Sequence, residues 1–300
     1  MAEGEGRGGA SAARLAPGEM YPAGVAGVSA RLIRTRSGPS VRVVECGDPD
    51  APPVVLLSGW GGCVYLYRKN LPALAAAGLR AIAVDLKGQG LSDKPADPAE
   101  YTSERMTAHA LEVLDALGLA RVRLVGQSMA GKVAANVALA APERVERLVL
   151  IGAVGIGRVP GSAMLAHLPL RALDLLAPVT ARWTFWVVLR RAYGSLARPT
   201  QHDVDEYYAP TADPNFVRAL FLLLREFDWR LLTPDELGRL TMPTLIIAGT
   251  EDHVVTPDRV DRCAARMPDA RSLVIPKAGH VPNEEASETV NRALTDFLSP

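Results

Sequence analysis

Short apolar runs alternate with longer stretches of helical periodicity from about residue 24 onwards. The runs PVVLL at 53–57 and TLIIA at 244–248 are apolar without interruption, which is typical of strands buried on both faces of a sheet. Between such runs, apolar positions recur at the spacing of a helix. This alternation predicts an α/β fold in which helices flank a mostly parallel sheet.

The pattern predicts eight strands and five helices in the sheet-forming part of the chain. The strands are predicted at 28–36, 41–45, 53–57, 80–85, 123–125, 148–151, 244–248 and 272–275. The helices are predicted at 67–77, 103–117, 130–141, 257–267 and 284–298. Ser103 is the predicted cap of the second helix, because a serine oxygen can accept a hydrogen bond from a free amide of the first turn.

Residues 155–240 carry helical patterns and several prolines, but no strand signal. They also hold most of the tryptophan of the chain. We therefore predict a helical cap at 155–240, inserted into a core domain formed by 24–154 and 241–300. Residues 1–23 mix charges of both signs with glycine and alanine, and we expect them to form a disordered tail.

The 300-residue chain has 33 basic and 33 acidic side chains, so no overall field favours nucleic acid or an anionic membrane. We expect a small-molecule substrate, no nucleic-acid or membrane partner, and a monomer or homodimer. The three cysteines are scattered, which fits neither a disulfide framework nor a metal site. The chain shows no secretory signal and no apolar run of about 18 residues. We therefore expect a cytoplasmic protein.

Ser128 lies in the stretch GQSMAG at 126–131, where a buried strand is predicted to turn abruptly into a helix. This context favours a nucleophile elbow of the Gly-x-Ser-x-Gly type, in which small residues permit the strained turn. Ala130 stands at the place of the second glycine, and Gly131 follows it. The alternative is an ordinary connection with a capping serine.

A serine nucleophile needs a base, and the base needs a group that orients it. Asp252 follows the strand TLIIA and His280 follows the last predicted strand, so both lie at the carboxyl edge of the sheet, where ligands bind in such folds. Ser128, Asp252 and His280 are therefore the predicted catalytic residues. Of the neighbouring acids Glu251 and Asp258, neither has the matching position. Turn or cap roles are the alternative for Asp252 and His280.

With these motifs the chain resembles the α/β-hydrolase fold family, in particular its capped esterases, C–C bond hydrolases and cofactor-free haloperoxidases. The resemblance covers about residues 25–299. The stretch DLKGQGLS at 85–92 is similar to the family's Asp-x-x-Gly-x-Gly-x-Ser loop. Gly279 and His280, with Glu285 and Glu288, are similar to its closing motif.

The resemblance implies an oxyanion hole made by the backbone N–H groups of Trp60 and Met129. Ser58 departs from the family's usual histidine, and this changes how the loop at 58–62 is braced without removing a backbone donor. A flexible turn is the alternative for this loop. Lys87 is a second departure, and we expect it to be an exposed loop cation.

We therefore predict a serine hydrolase that cleaves an ester or related acyl bond, including a C–C bond, through an acyl-enzyme on Ser128. No cofactor and no metal are required. We expect an apolar substrate site under the cap, with core packing as the alternative for each cap residue. The expected substrate contacts are Gly59, Trp183, Trp186, Phe216 and Trp229.

Two other functions fit the same motifs. A lyase, a cyclase or an acyltransferase could use the same triad, because the site rather than the fold decides the chemistry. A ligand receptor without turnover would also keep the fold. Covalent labelling of Ser128 by a fluorophosphonate separates an enzyme from a receptor.

Overall fold

The structure is a computed structural model that describes residues 14–160 and 181–299. Over these residues eight strands form one sheet. The strands are β1 (Val28–Arg34), β2 (Ser40–Cys46), β3 (Pro53–Leu57), β4 (Arg80–Val84), β5 (Val122–Gln127), β6 (Val145–Ile151), β7 (Thr244–Gly249) and β8 (Ala270–Ile275). Their order across the sheet is β1-β2-β4-β3-β5-β6-β7-β8. The prediction of an eight-stranded sheet is confirmed.

Most of the sheet is parallel. Strands β1 and β2 pair antiparallel, as do β2 and β4, whereas all pairs from β4 through β3, β5, β6 and β7 to β8 are parallel. The carboxyl ends of six neighbouring strands therefore lie at one edge. Loops that follow β5, β7 and β8 can bring their side chains together there.

Helices flank the sheet, and their bounds differ modestly from the predicted ones. The α-helices are α1 (Leu71–Ala76), α2 (Ser103–Ala116), α3 (Met129–Ala140), α4 (Arg182–Ala192), α5 (Gln201–Tyr208), α6 (Asn215–Glu226), α7 (Pro234–Arg239), α8 (Val260–Ala264), α9 (Pro282–Glu285) and α10 (Ser287–Leu298). Short 3₁₀ helices occur at Val64–Tyr67, Pro98–Tyr101, Pro142–Arg144 and Ala209–Ala212. None of the helices in the described ranges is long and apolar enough to cross a membrane.

Two of the predicted helices and one predicted cap differ from the structure. In the stretch predicted at 67–77, α1 begins only at Leu71, after a 3₁₀ helix that ends at Tyr67. The last predicted helix is interrupted at Ala286 between α9 and α10. The prediction of Ser103 as a cap is wrong, because the Thr102 side chain accepts the hydrogen bond from the Arg105 amide. Local sequence preference cannot distinguish two adjacent hydroxyl residues at a helix start.

The sheet is buried on both faces. Leu124 and Val125, neighbours on β5, belong to two different hydrophobic clusters because alternate side chains of a strand point to opposite faces. Leu124 is covered by residues of α2 and α3, and Val125 shares its cluster with residues of α1 and α10. This burial on both sides explains why the strands are uninterrupted apolar runs in the sequence.

The part of 155–240 that the structure describes is helical and contains α4 to α7. The segment leaves the core after β6 and returns before β7, and these two strands pair directly in the sheet. An insertion between adjacent strands leaves the sheet order intact. Its division from the core as a cap stays a prediction, and residues 161–180, including His167, lie outside the described ranges.

The prediction of a disordered tail at 1–23 is wrong for residues 14–23. Met20 and Tyr21 are buried, and the Tyr21 amide donates to the Glu206 carboxylate at 2.8 Å. The Arg42 guanidinium donates to the Tyr21 carbonyl. These partners are distant in sequence, so composition alone could not reveal them. Residues 1–13 lie outside the described part of the chain.

Lys87 is buried, so the expectation that it is an exposed loop cation is wrong. Its side chain is 2% exposed, and its ammonium group lies 2.6 Å from the Glu100 carboxylate. Its amide donates to His109 Nε2 at 3.1 Å. The loop after β4 is thus covered by α2 and the preceding 3₁₀ helix, and a buried ammonium group is stable there because it is paired.

Candidate active site

Ser128 occupies a strained backbone conformation between β5 and α3. Its φ of 56° and ψ of −125° lie in a region that residues other than glycine seldom adopt. The Ser128 amide donates to the Ile151 carbonyl at 2.9 Å, and the Ser128 carbonyl accepts from the Val154 amide at 3.0 Å. These bonds to the strand end of β6 and the segment after it hold the turn. The side chain projects from the carboxyl edge of the sheet.

Close packing around the turn explains the small residues of the motif. A Cβ built on Gly126 would lie 2.4 Å from the Ala130 carbonyl oxygen, and one on Gly131 would lie 2.4 Å from the Ala153 Cβ. Both distances are far below a van der Waals contact. The two crowded positions are therefore occupied by glycine, while the Ala130 side chain is fully buried in the core. The departure at position 130 is accommodated in the structure.

The three predicted side chains meet at one point. His280 Nε2 lies 2.8 Å from Ser128 Oγ, and His280 Nδ1 lies 2.8 Å from Asp252 Oδ2. Ser128, His280 and Asp252 follow β5, β8 and β7, respectively. Their residues are 7%, 6% and 3% exposed, so little water competes for these hydrogen bonds. This arrangement can move a proton from the hydroxyl to the imidazole.

Asp252 is itself fixed by backbone donors. Its Oδ1 accepts hydrogen bonds from the Val254 and Val255 amides, each at 2.8 Å, which leaves Oδ2 for the imidazole. A carboxylate at this position favours a proton on His280 Nδ1, so that Nε2 is free to accept the serine proton. The neighbouring acids point elsewhere, since Glu251 binds Ser195 and the exposed Asp258 binds Thr256.

The loop at 58–62 lies directly against Ser128. A Cβ built on Gly59 would be 2.5 Å from Ser128 Cβ. The loop is a tight turn, because the Gly62 amide donates to the Gly59 carbonyl at 3.0 Å and the Gly61 amide to Gln89 Oε1 at 3.1 Å. The flexible-turn alternative is therefore not needed to explain these glycines.

Two backbone N–H groups lie near Ser128 and have no acceptor among the described residues. In the described ranges, neither the Trp60 amide nor the Met129 amide donates a hydrogen bond to another protein group. Met129 is the first residue of α3, and the first amides of a helix have no partner inside the helix. Free donors of this kind suit an oxyanion.

Gln127 was not singled out by the sequence. It precedes Ser128 at the end of β5, and its side-chain amide donates to the His280 carbonyl at 3.0 Å. Its Oε1 would lie 2.6 Å from a Cβ on Gly59. Gln127 thus connects the histidine loop with the glycine loop. In the sequence, the only sign of this role was an amide side chain directly before Ser128.

Of the predicted substrate contacts on the insertion, Phe216 is buried, whereas Trp183 and Trp186 are exposed. Phe216 is fully buried on α6 beside Leu220, and both pack with Trp60. The Trp60 indole also donates to the Leu220 carbonyl at 2.6 Å. An apolar face of α6 therefore covers the loop that lies against Ser128.

The other three tryptophans lie farther from this contact. Trp229 packs edge-on against Phe227, with ring centroids 5.3 Å apart. Trp183 and Trp186 are 67% and 42% exposed on α4, and the structure does not enclose their rings. A role in substrate binding stays a prediction for all three.

Other candidate reactive groups do not form a second centre among the described residues. Burial, followed by the charge of Asp85, raises the pKa of the Cys63 thiol well above its usual value, so this thiol stays protonated. Cys63 belongs to the apolar core, as does Cys263. No group of three His, Cys, Asp or Glu side chains in the described ranges is arranged to hold a metal ion.

Comparison with known proteins agrees with the fold. The family model of the alpha/beta hydrolase fold matches residues 52–287. RutD of Stutzerimonas stutzeri, whose name describes a carbamate hydrolase, is 34% identical over 84% of this chain and 93% of its own length. A 2-hydroxy-6-oxononadienedioate/2-hydroxy-6-oxononatrienedioate hydrolase of Cupriavidus pinatubonensis is 30% identical over 90% of this chain and 95% of its own length.

A solved structure shows the same likeness. The meta-cleavage product hydrolase CumD of Pseudomonas fluorescens, crystallised with acetates, superposes with a TM-score of 0.70 at 25% identity. The likeness covers 89% of this chain and 96% of that one. Because the family model spans most of the chain and the sheet has the same architecture, the chain belongs to the α/β-hydrolase fold family and is a hydrolase of that type.

Proposed function

We propose that the protein is a serine hydrolase that cleaves a carboxylic ester or a related acyl bond, including a C–C bond next to a carbonyl, in a small and largely apolar molecule. The observation that carries this proposal is the continuous path from Ser128 Oγ to His280 Nε2 and from His280 Nδ1 to Asp252, with both contacts at 2.8 Å. In this order, the imidazole can take the proton of the hydroxyl, and the carboxylate stabilises the imidazolium that forms.

The first half-reaction uses the hydroxyl as the nucleophile. His280 Nε2 takes the proton of Ser128 Oγ while Oγ forms a bond to the carbonyl carbon of the substrate. The carbonyl oxygen becomes an oxyanion that accepts hydrogen bonds from the free Trp60 and Met129 amides. The tetrahedral intermediate then collapses, the leaving group takes the proton from His280, and an acyl group remains on Ser128.

The second half-reaction returns the enzyme to its first state. A water molecule gives a proton to His280 Nε2 and attacks the acyl carbon, which forms a second oxyanion at the same amides. Collapse of this intermediate breaks the bond to Ser128 Oγ, and His280 returns the proton to that oxygen. Asp252 stabilises the imidazolium form in both halves, because its carboxylate is buried beside Nδ1.

The apolar substrate class is supported by the contacts above the glycine loop. Phe216, Val217 and Leu220 form one cluster on α6 that packs on Trp60. A substrate held over Ser128 beside this cluster would meet hydrocarbon rather than charge. The relatives whose names describe hydrolysis of a carbamate and of a 2-hydroxy-6-oxononadienedioate support a carbonyl as the group that is attacked, because both compounds contain one.

A labelling experiment tests the nucleophile directly. The native protein is expected to react with a fluorophosphonate probe and to hydrolyse p-nitrophenyl esters, whereas Ser128→Ala should abolish labelling and lower kcat by about 10⁶-fold if the triad acts as a unit. Ser37→Ala is the matched control, because Ser37 lies in the β1–β2 turn and bonds Glu112. Normal labelling of Ser128→Ala would refute the proposal.

Product analysis tests the bond that is broken. Short and long acyl esters, an aryl ester and a vinylogous diketone should be compared as substrates. Release of the free acid with one oxygen from ¹⁸O-labelled water is the expected result. Transfer of the acyl group to an added alcohol or amine without incorporation of ¹⁸O would assign the chemistry to an acyltransferase instead.

A further inference from the structure

Residues 192–196 cross the two loops that carry the acid and the base of the triad. We refer to these five residues as the crossing segment. The segment leaves the end of α4 and leads towards α5, so it belongs to the insertion between β6 and β7. The segment contacts the Asp252 loop and the His280 loop mostly through its own backbone atoms.

The segment is bonded to the histidine loop at both ends. The His280 amide donates to the Ala192 carbonyl at 2.6 Å. At the other end, the Leu196 amide donates to the Lys277 carbonyl at 3.0 Å. Two backbone hydrogen bonds thus join the histidine loop to the insertion, and the His280 amide donates one of them.

Glu285 joins the same two chains through its carboxylate. Oε1 accepts from the Gly279 amide at 2.7 Å, and Oε2 accepts from the Gly194 amide at 2.8 Å. Gly279 directly precedes His280. One carboxylate therefore holds the histidine loop and the crossing segment at a fixed separation, and charge-assisted bonds of this length are among the stronger ones in proteins.

The acid loop is bonded to the segment through Glu251. The Ser195 amide donates to Glu251 Oε2 at 2.7 Å, and the Ser195 hydroxyl donates to Oε1 at 2.9 Å. The Glu251 amide in turn donates to the Ala278 carbonyl at 2.9 Å. Because Glu251 directly precedes Asp252, the segment links the acid loop to the histidine loop.

Glycines allow the two backbones to approach this closely. A Cβ on Gly194 would lie 2.3 Å from the Lys277 carbonyl oxygen and 2.7 Å from the Gly279 nitrogen. A Cβ on Gly279 would lie 2.4 Å from the Ala192 carbonyl oxygen. The crossing therefore requires glycine on both chains, and a methyl group on either would push them apart.

Buried side chains anchor the start of the segment. The Tyr193 hydroxyl donates to the Glu284 carboxylate, which also accepts from the Tyr207 hydroxyl at 2.5 Å. The Arg68 guanidinium lies 3.0 Å from the same carboxylate. Glu284 is 2% exposed. The segment is thus attached to the core and to α5 at a buried ion pair close to His280 in the chain.

We propose that the crossing segment positions the imidazole of His280 against Asp252 and Ser128, so that Gly194 and Glu285 are positioning residues of the triad. This inference rests on the proposed function, because it assigns the residues a role in that reaction. The physical reason is geometric. Proton transfer requires a contact near 3 Å, and a displacement of about 1 Å can reduce the rate by about 100-fold.

The test uses a matched pair of glycine variants within the insertion. Gly194→Ala is compared with Gly238→Ala, whose added Cβ on α7 has no atom within 4 Å. For Gly194→Ala we expect kcat for a p-nitrophenyl ester to fall about 10- to 100-fold, with KM almost unchanged and fluorophosphonate labelling slowed in proportion. Gly238→Ala should keep native values of all three.

The split between kcat and KM distinguishes positioning from loss of structure. A general loosening of the insertion would raise KM and lower the midpoint of thermal unfolding, whereas a displaced imidazole lowers kcat and labelling in a protein with a native unfolding transition. Native kcat and native labelling in folded Gly194→Ala would overturn the inference. A rise in KM alone would also overturn it.

If Gly194→Ala does not fold, Glu285→Gln tests the inference in its place. The amide has the shape of the carboxylate, but its NH₂ group would face a backbone N–H that now lacks an acceptor. The same fall in kcat without a change in KM is expected, and native kcat would overturn the inference. If the native protein itself shows no labelling that depends on Ser128, the proposed function fails instead, so the two failures are separable.

Discussion

Gly59 lies so close to Ser128 that a methyl group on the glycine would be 2.5 Å from the Cβ of the serine. Gly59→Ala must therefore displace either Ser128 or the loop that carries the Trp60 amide. Loss of one oxyanion donor typically lowers the rate by about 100- to 1000-fold, and we expect kcat to fall by that factor. Steady-state kinetics with a p-nitrophenyl ester measure this effect.

Gly18→Ala is the control for this prediction. Its added Cβ has nothing within 4 Å, and the residue lies far from Ser128 in the chain, so both kcat and KM should be native. Native kcat in Gly59→Ala itself would show that the loop at 58–62 does not contribute to the oxyanion site.

Asp252 is expected to act through the orientation of His280. In Asp252→Asn the side-chain amide keeps the size of the carboxylate but favours the wrong imidazole tautomer, and such a change lowers kcat by about 10⁴-fold in a triad. Asp258→Asn changes an exposed acid nearby and should leave kcat native. Equal losses in the two variants, measured with the same ester, would contradict the assignment of Asp252.

Lys132 links the helix after Ser128 to the returning end of the insertion. Its ammonium group donates to the Asp228 carbonyl at 2.8 Å, to the Asp228 carboxylate at 2.9 Å and to the Arg230 carbonyl at 2.8 Å. Its side chain is 1% exposed. Lys132→Met keeps the hydrocarbon stem but removes the ammonium donor from the Asp228 and Arg230 carbonyls, while the Asp228 carboxylate keeps the Arg230 guanidinium at 3.0 Å. Loss of this buried donor to two carbonyls should lower the free energy of unfolding by about 2 kcal/mol.

Urea unfolding measures the effect of Lys132→Met. The exposed Arg36 provides the control, since Arg36→Met removes a cation at the surface and should change the free energy of unfolding by less than about 0.5 kcal/mol. An unchanged midpoint in Lys132→Met would mean that the three hydrogen bonds do not stabilise the fold.

His109 should make stability depend on pH. Burial, followed by the charge of Lys87, lowers the pKa of His109 from 6.5 to about 3. The folded protein therefore keeps this imidazole neutral below pH 6.5, while the unfolded chain takes up a proton there. Stability from this residue is complete above pH 6.5 and is lost as pH falls, by about 1.4 kcal/mol per pH unit.

His109→Gln removes this titration and retains an acceptor for the Lys87 amide. Between pH 7 and pH 5, the native protein should lose about 2 kcal/mol more of its free energy of unfolding than the variant. Urea titrations at both pH values provide the comparison. The same loss in both proteins would show that His109 is already protonated in the folded state or is not buried.

The sheet and the meeting of Ser128, Asp252 and His280 were predictable because each depends on a local pattern. Uninterrupted apolar runs marked the buried strands, and a glycine-flanked Ser128 at a strand end marked the elbow. Once the strands were parallel, topology alone placed Asp252 and His280 at the same edge. The strand ends were less predictable, since residues such as Val122 and Gln127 extend β5 only through pairing with neighbouring strands.

Features that depend on distant partners could not be predicted. Tyr21 is ordered by Glu206, which is 185 residues away, and nothing local announces that contact. Lys87 was expected to be exposed because lysine usually is, yet Glu100 pairs with its ammonium group and His109 accepts from its backbone amide. Gly194 gave no signal, because the requirement for glycine comes from the Lys277 carbonyl on another chain segment.

Strands β6 and β7 are neighbours in the sheet, so the chain leaves for the insertion and re-enters at adjacent points. The entropy of closing such an excursion grows only slowly with its length, and the sheet register does not depend on what lies between. An insertion of another length could therefore join β6 to β7 without changing the order of the strands. Any such insertion would still have to supply an acceptor for the His280 amide, which here donates to the Ala192 carbonyl.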